Sequence, residues 1–154
     1  MNNRMSWIET PDMPYSEFQI TEHTLSCKGK HTAFIALGTT HERSITLDKE
    51  NKKVIVIDVL TNNSSEKNTA SFYLHFHSDA TVSQHENEVI ISKDNLSIQI
   101  SNTNFIDANI IRGDINEPFG WFSESYNLKT ESQSLRLNLE LKNKLTLETS
   151  ITYE

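Results

Sequence analysis

Apolar and polar residues alternate along most of the chain from Glu17 onward. Phe18-Gln19-Ile20-Thr21, Ser44-Ile45-Thr46-Leu47 and Leu96-Ser97-Ile98-Gln99-Ile100-Ser101 all show the pattern. So do Leu135-Arg136-Leu137-Asn138-Leu139-Glu140-Leu141 and Leu145-Thr146-Leu147-Glu148-Thr149-Ser150-Ile151. A period of two sends successive side chains to opposite faces, so each run predicts a strand with one face on a core and one in water. That arrangement suits antiparallel sheets. Val54-Ile55-Val56-Ile57-Asp58-Val59-Leu60 is apolar without alternation, which predicts a central strand covered on both faces.

Between the runs fall Lys49-Glu50-Asn51, Thr61-Asn62-Asn63-Ser64-Ser65, His85-Glu86-Asn87 and Lys93-Asp94-Asn95. Asn and Asp tolerate the positive φ of tight hairpins, so these segments are expected turns. No stretch carries a helical period with caps, and the expected fold is an all-β, antiparallel β-sandwich over residues 16–154. Residues 1–15, with Pro11 and Pro14, read as an extended or disordered lead-in. Residues 113–133 hold Gly113, Pro118, Gly120, Trp121 and Tyr126 and read as a long loop, a feature that is often functional.

The net charge is −7, with acids and bases interspersed. Without clustered Lys and Arg, neither nucleic acid nor an anionic membrane is an expected partner. No apolar run approaches the roughly 20 residues of a membrane helix. No apolar stretch follows Arg4 in the manner of a signal peptide, so a soluble chain without an export signal is expected. One cysteine, Cys27, excludes an internal disulfide.

Chemistry is sparse but not absent. His75 and His77 stand two apart in Phe72-Tyr73-Leu74-His75-Phe76-His77, and on a strand both would share a face. With Asp58 they could supply three N/O ligands to a metal, the set of an open zinc site. The bland alternative is that they hydrogen-bond or face water. Asp58 lies inside an apolar run, so its carboxylate needs a partner: a metal, a histidine, an arginine such as Arg43, or backbone N–H groups. Cys27 has His23 and His31 near it in sequence, a weak basis for a Cys–His nucleophile. Neither a nucleophile elbow nor a phosphate-binding glycine loop is present. Trp121, Phe122 and Tyr126 could form a platform for sugar rings, or Trp121 could simply anchor the loop by burial.

The order of these features resembles the heparinase II/III-like family. The similarity runs through His31-Thr32-Ala33-Phe34, His41-Glu42-Arg43-Ser44-Ile45, Val54-Ile55-Val56-Ile57-Asp58 and Leu74-His75-Phe76-His77. It closes with Gly120-Trp121-Phe122-Ser123-Glu124-Ser125-Tyr126, which looks like the family's Gly-Trp-x-Ser-x-x-Tyr loop. It extends over roughly residues 17 to 153. The sequence departs from the family at Ala33-Phe34, where a Gly-Tyr is usual, and at Asn127, where a glycine is usual.

The resemblance implies the super-sandwich fold of polysaccharide lyase C-terminal domains. Such lyases join it to an N-terminal α/α toroid and cleave uronic-acid chains by β-elimination, with most catalytic groups on the toroid. It implies metal positions at Asp58 and His77, with zinc the expected ion. The triad's upstream histidine has no counterpart, so His75, His41, water or a second chain would complete the sphere. The family's His-x-His segment, with its catalytic histidine, would fall before residue 1, so no catalytic residue is assigned. The implied role is a non-catalytic sandwich, inactive alone, that supports a toroid domain or chain and contacts an acidic polysaccharide. Its parent family is often periplasmic or secreted. The alternatives are a free-standing carbohydrate-binding module using Trp121, Phe122 and Tyr126, and a metal-dependent hydrolase centred on Asp58 and His77. A sandwich separated from its toroid would expose a sheet edge and an apolar face, and either self-association through that edge or a rearranged N-terminus covering it is expected.

Overall fold

The computed structural model describes residues 15–102, 108–116 and 119–153. The expected lead-in lies outside the described residues, except that Tyr15 opens the first strand. The chain runs through β1 (Tyr15–Ile20), β2 (Thr24–His31), β3 (Thr39–Asp48), β4 (Lys53–Asn62) and β5 (Asn68–His75). Then come β6 (Thr81–His85), β7 (Glu88–Lys93), β8 (Leu96–Ser101) and β9 (Asn109–Arg112). The last strands are β10 (Trp121–Phe122), β11 (Thr130–Glu131), β12 (Gln133–Leu141) and β13 (Lys144–Tyr153). Among the described residues the one helical segment is the 3₁₀ turn Ile35–Leu37, far too short to cross a membrane.

Eight strands form one antiparallel sheet in the order β1-β2-β3-β4-β13-β8-β7-β6, and β5-β12-β9 form a second. The alternating runs predict this well: β12 sends Leu135, Leu137, Leu139 and Leu141 to one face, and Leu135, Leu137 and Leu141 are buried. Leu135, Leu137 and Leu139 pack with Phe72, Leu74 and Ile110 of the small sheet against Val82, Val89, Ile91, Ile98, Ile100 and Ile151 of the large one. Two sheets packed through the apolar faces of their strands form a sandwich.

The small sheet covers only one end of the large one. A single row of cross-strand partners makes this plain: Ile20–Leu25–Leu47–Val54–Ile151–Ile100–Val89. Val89 at one end is fully buried, whereas Ile20 at the other is 66% exposed. The neighbouring row Phe18–Cys27–Ile45–Val56–Thr149 behaves alike, with Thr149 buried and Phe18 61% exposed. This corrects one expectation for β4. The strand is central in its sheet, but most of its side chains are only half-buried, because the three strands of β5-β12-β9 do not reach over β1–β3.

The turns fall where the breakers stand. Asp94, between β7 and β8, takes φ +53°, as the turn chemistry predicts. In two other hairpins the positive φ falls on Lys52 and Glu86 rather than on the neighbouring asparagines. Asn62, expected in a turn, closes β4 and organises the loop after it: its Nδ2 donates to the carbonyls of Glu66 (2.7 Å) and Lys142 (2.9 Å). Its Oδ1 accepts from the backbone N–H and the hydroxyl of Ser64. Within the long segment 113–133, β10 and β11 pair as a short ribbon.

Candidate functional site

Register places the polar cluster. Arg43 on β3 lies directly opposite Asp58 on β4, and His31 on β2 lies directly opposite His41 on β3. His41 and Arg43 are two apart, so all four side chains rise from the same face of the sheet. That face is the partly covered one, and the cluster sits at the border between its buried and open regions, beside buried Leu147.

Asp58 is the anchor, with its side chain only 3% exposed. Arg43 clamps it with two bonds, Nε to Oδ1 at 2.6 Å and Nη2 to Oδ2 at 3.0 Å. The fork geometry of a guanidinium makes such bidentate pairs the strong ones. His41 adds a third bond, Nε2 to Oδ1 at 2.6 Å. Burial alone would raise the Asp58 pKa; the hydrogen bonds from His41 and Arg43, with the nearby Arg43 charge, outweigh it and hold the carboxyl below its ordinary value. Asp58 is therefore ionised and neutralised in place.

The hydrogen bonds also fix a direction of donation. The Ala33 N–H donates to His31 Nδ1 at 3.3 Å, so that nitrogen is an acceptor. In a neutral imidazole the proton then sits on His31 Nε2, which lies 3.0 Å from His41 Nδ1 and donates to it. His41 must in turn carry its proton on Nε2, where it donates to Asp58. Burial first, then the adjoining His41 and Arg43, lowers the His31 pKa, which keeps this ring neutral. Phe34 stands edge-on to His31 at 5.5 Å between ring centroids and shields it.

Of the expected partners of Asp58, the structure thus supplies a histidine and Arg43. It does not supply His77. Asp58 is level with Leu147 of β13, whereas His77 lies 3.5 Å from Lys93, at the hairpin end of β7 and β8 beyond the Ile98–Tyr153 pair. From Leu147 to Tyr153 is six residues of strand, about 20 Å at roughly 3.3 Å per residue. His75 and His77 do not share a strand face either, because β5 ends at His75. His75 instead bonds the Ser134 hydroxyl at 2.9 Å, and His77 packs on Phe122 with ring centroids 4.5 Å apart. Among the described residues no group of three His, Cys, Asp or Glu side chains is placed to hold a metal.

The aromatic loop divides similarly. Trp121 is half-buried, donates from Nε1 to the Asp114 carbonyl at 3.1 Å, and has the Lys129 ammonium 3.6 Å above its ring. It anchors the loop. Phe122 is engaged with His77, and only Tyr126, at 93% exposure, is open. Cys27 pairs across the sheet with Phe18 and Ile45, and His31 lies four residues along the same strand, about 13 Å away. His23 is bound to Glu50 at 2.6 Å. No Cys–His pair forms among them.

Sequence reasoning missed His31 as the outer link of the relay and Asn62 as the organiser of the turn after β4. His31 was within reach: a hairpin from β2 into β3 with its turn at residues 32–38 sets His31 opposite His41.

Two antiparallel sheets packed face to face make this an all-β sandwich domain. Residues 6–152 match the family described as heparinase II/III-like, C-terminal, and the chain belongs to it. Among solved structures it is similar to the heparan sulfate lyase HepC of Pedobacter heparinus, with a TM-score of 0.70 at 13% identity over 90% of this chain and 21% of that one. It is similar to a heparinase III gene product at a TM-score of 0.69, again at 13% identity and with 90% and 21% covered. The chain thus spans about a fifth of the length of those enzymes, and at this identity the likeness speaks for the fold. No curated protein matches it in sequence.

Proposed function

We propose that this domain is the non-catalytic β-sandwich of a heparinase II/III-like polysaccharide lyase, supporting a catalytic toroid and contacting acidic polysaccharide beside it. The observation that carries the proposal is the sheet row that is buried at Val89 and open at Ile20. Phe18 and Ile20 are exposed on β1 at that open edge, and Phe34, Ile35 and Leu37 are exposed in the connection after β2, next to His31. Large apolar side chains left open at the margin of a core suit a face that another body completes. The polar cluster supports a scaffold role as well, since Asp58 is fully engaged with groups of its own sheet.

Without its partner, the open face is expected to self-associate. Light scattering after size exclusion should show a mass that rises with concentration, and Phe18→Ser with Ile20→Thr should suppress the rise. A wild-type chain that stays monomeric at high concentration would count against a docking face there.

Tyr126 favours a second reading, a free-standing carbohydrate-binding module, because its ring is open to a ligand. Glycan-array binding lost in Tyr126→Ala, with the fold intact, would support it. Binding that survives the substitution, or no binding, removes it.

A further inference from the structure

We infer that the Asp58 corner is closed by its own cation and is metal-independent, Arg43 standing where the family resemblance leads one to expect a divalent ion. Three features of this chain's geometry carry the inference. The first is charge. Both oxygens of Asp58 are held by the Arg43 guanidinium, at 2.6 and 3.0 Å, so an ion ligated to either would lie against a fixed positive group. Like-charge repulsion in a site where the carboxylate is 3% exposed is weakly screened.

The second is the direction of the relay. To ligate a metal, His41 would have to present a lone pair on Nε2, which now carries the proton given to Asp58. Moving that proton to Nδ1 turns it toward His31 Nε2, which must then accept. His31 would in consequence carry its proton on Nδ1, facing the Ala33 N–H at 3.3 Å, and two donors would meet. The backbone at Ala33 thus fixes the tautomer two residues away from the carboxylate. The third feature is shape: His31, His41 and Asp58 form a line, each bonded to the next, whereas ligands must converge on one point. His77, the other expected ligand, lies beyond the end of β5, beside Lys93 at the far hairpin. Zinc therefore does not fit this corner. Its electrostatic task, neutralising a buried carboxylate, is already done by the guanidinium.

The test uses the whole chain, exchanged into excess zinc chloride and, separately, into a chelator. Native mass spectrometry is expected to show no stoichiometric adduct dependent on Asp58, and the melting temperature is expected to be the same in both buffers. Nitrogen-15 spectra of the imidazoles should place the protons of His31 and His41 on Nε2, unmoved by zinc. An adduct that persists in Asp58→Asn and in His41→Gln lies elsewhere and leaves the inference standing. One zinc per chain, lost in either variant and accompanied by a proton on His41 Nδ1, overturns it.

Discussion

Removing Arg43 is the sharpest perturbation of the polar cluster. Among the described residues, Arg43→Ala deletes two of the three side-chain hydrogen bonds to Asp58 and the only permanent cation bonded to it. The carboxylate, 3% exposed, is left with His41 alone. Breaking a buried ion pair from one side typically costs 3–5 kcal/mol, because the remaining charge is uncompensated. Arg43 itself is 46% exposed, so water enters the space it leaves. The expected loss is therefore near the lower end, about 3 kcal/mol. For a chain of this size that corresponds to a fall of about 6–12 °C in melting temperature. Asp58→Asn keeps the shape and removes the buried charge, and the freed guanidinium can turn to solvent, so it should cost less, on the order of 1–2 kcal/mol. Once Asp58 is neutral, deleting Arg43 should add little. Urea unfolding of the two single variants and the double variant closes the cycle. Simple additivity of the two costs, or an Arg43→Ala variant within about 0.5 kcal/mol of wild type, would refute the claim that this pair is coupled.

Asn62→Ala should destabilise by about 1–2 kcal/mol, since it removes the buried amide that donates to the carbonyls of Glu66 and Lys142 and accepts from Ser64; urea midpoints check this, and a change under about 0.5 kcal/mol contradicts it. Gly120→Ala should disrupt the aromatic loop, because φ is +75° and a Cβ would meet the Gly113 nitrogen at 2.4 Å and the Ile111 carbonyl oxygen at 2.9 Å. Hydrogen exchange at Gly113 and Ser132, whose N–H groups both donate to the Gly120 carbonyl, should accelerate. Acid should weaken the relay in a defined window. The folded pKa of His31 lies below its unfolded value of 6.5, so the unfolded chain takes up the proton first and its contribution is full above 6.5. That contribution falls as pH drops from 6.5 through the folded pKa, and the urea midpoint should decline less steeply there in His31→Asn. A midpoint that rises on acidification through this window would contradict the assignment.

Much of the fold was legible because strand alternation is local. β12 and β13 each declare a buried face without reference to the rest of the chain, and Asp94 marks its hairpin by its own tolerance of positive φ. The partner of Asp58 was half legible. An acid inside an apolar strand demands compensation, and Arg43 stands one hairpin upstream with the parity to reach it. What the sequence hides is registration between distant elements. Nothing local tells that β5 leaves the large sheet after β4 to join β12, and this departure carries His77 away from Asp58. The exposure of β1–β3 is hidden for the same reason: Phe18-Gln19-Ile20 and Ile98-Gln99-Ile100 alternate alike, yet Ile20 is open and Ile100 buried, and only the reach of the second sheet separates them.

The most direct measurement is a lyase assay on this chain alone, with uronic-acid polymers of several linkages and the ultraviolet absorbance of the unsaturated product as readout. The account predicts no product above the uncatalysed background in buffer with zinc or with chelator, because the described polar groups of the corner are engaged with one another. Sustained product formation by the purified chain, abolished by His31→Asn or Asp58→Asn in variants that still fold, would contradict it and make this sandwich a catalyst in its own right.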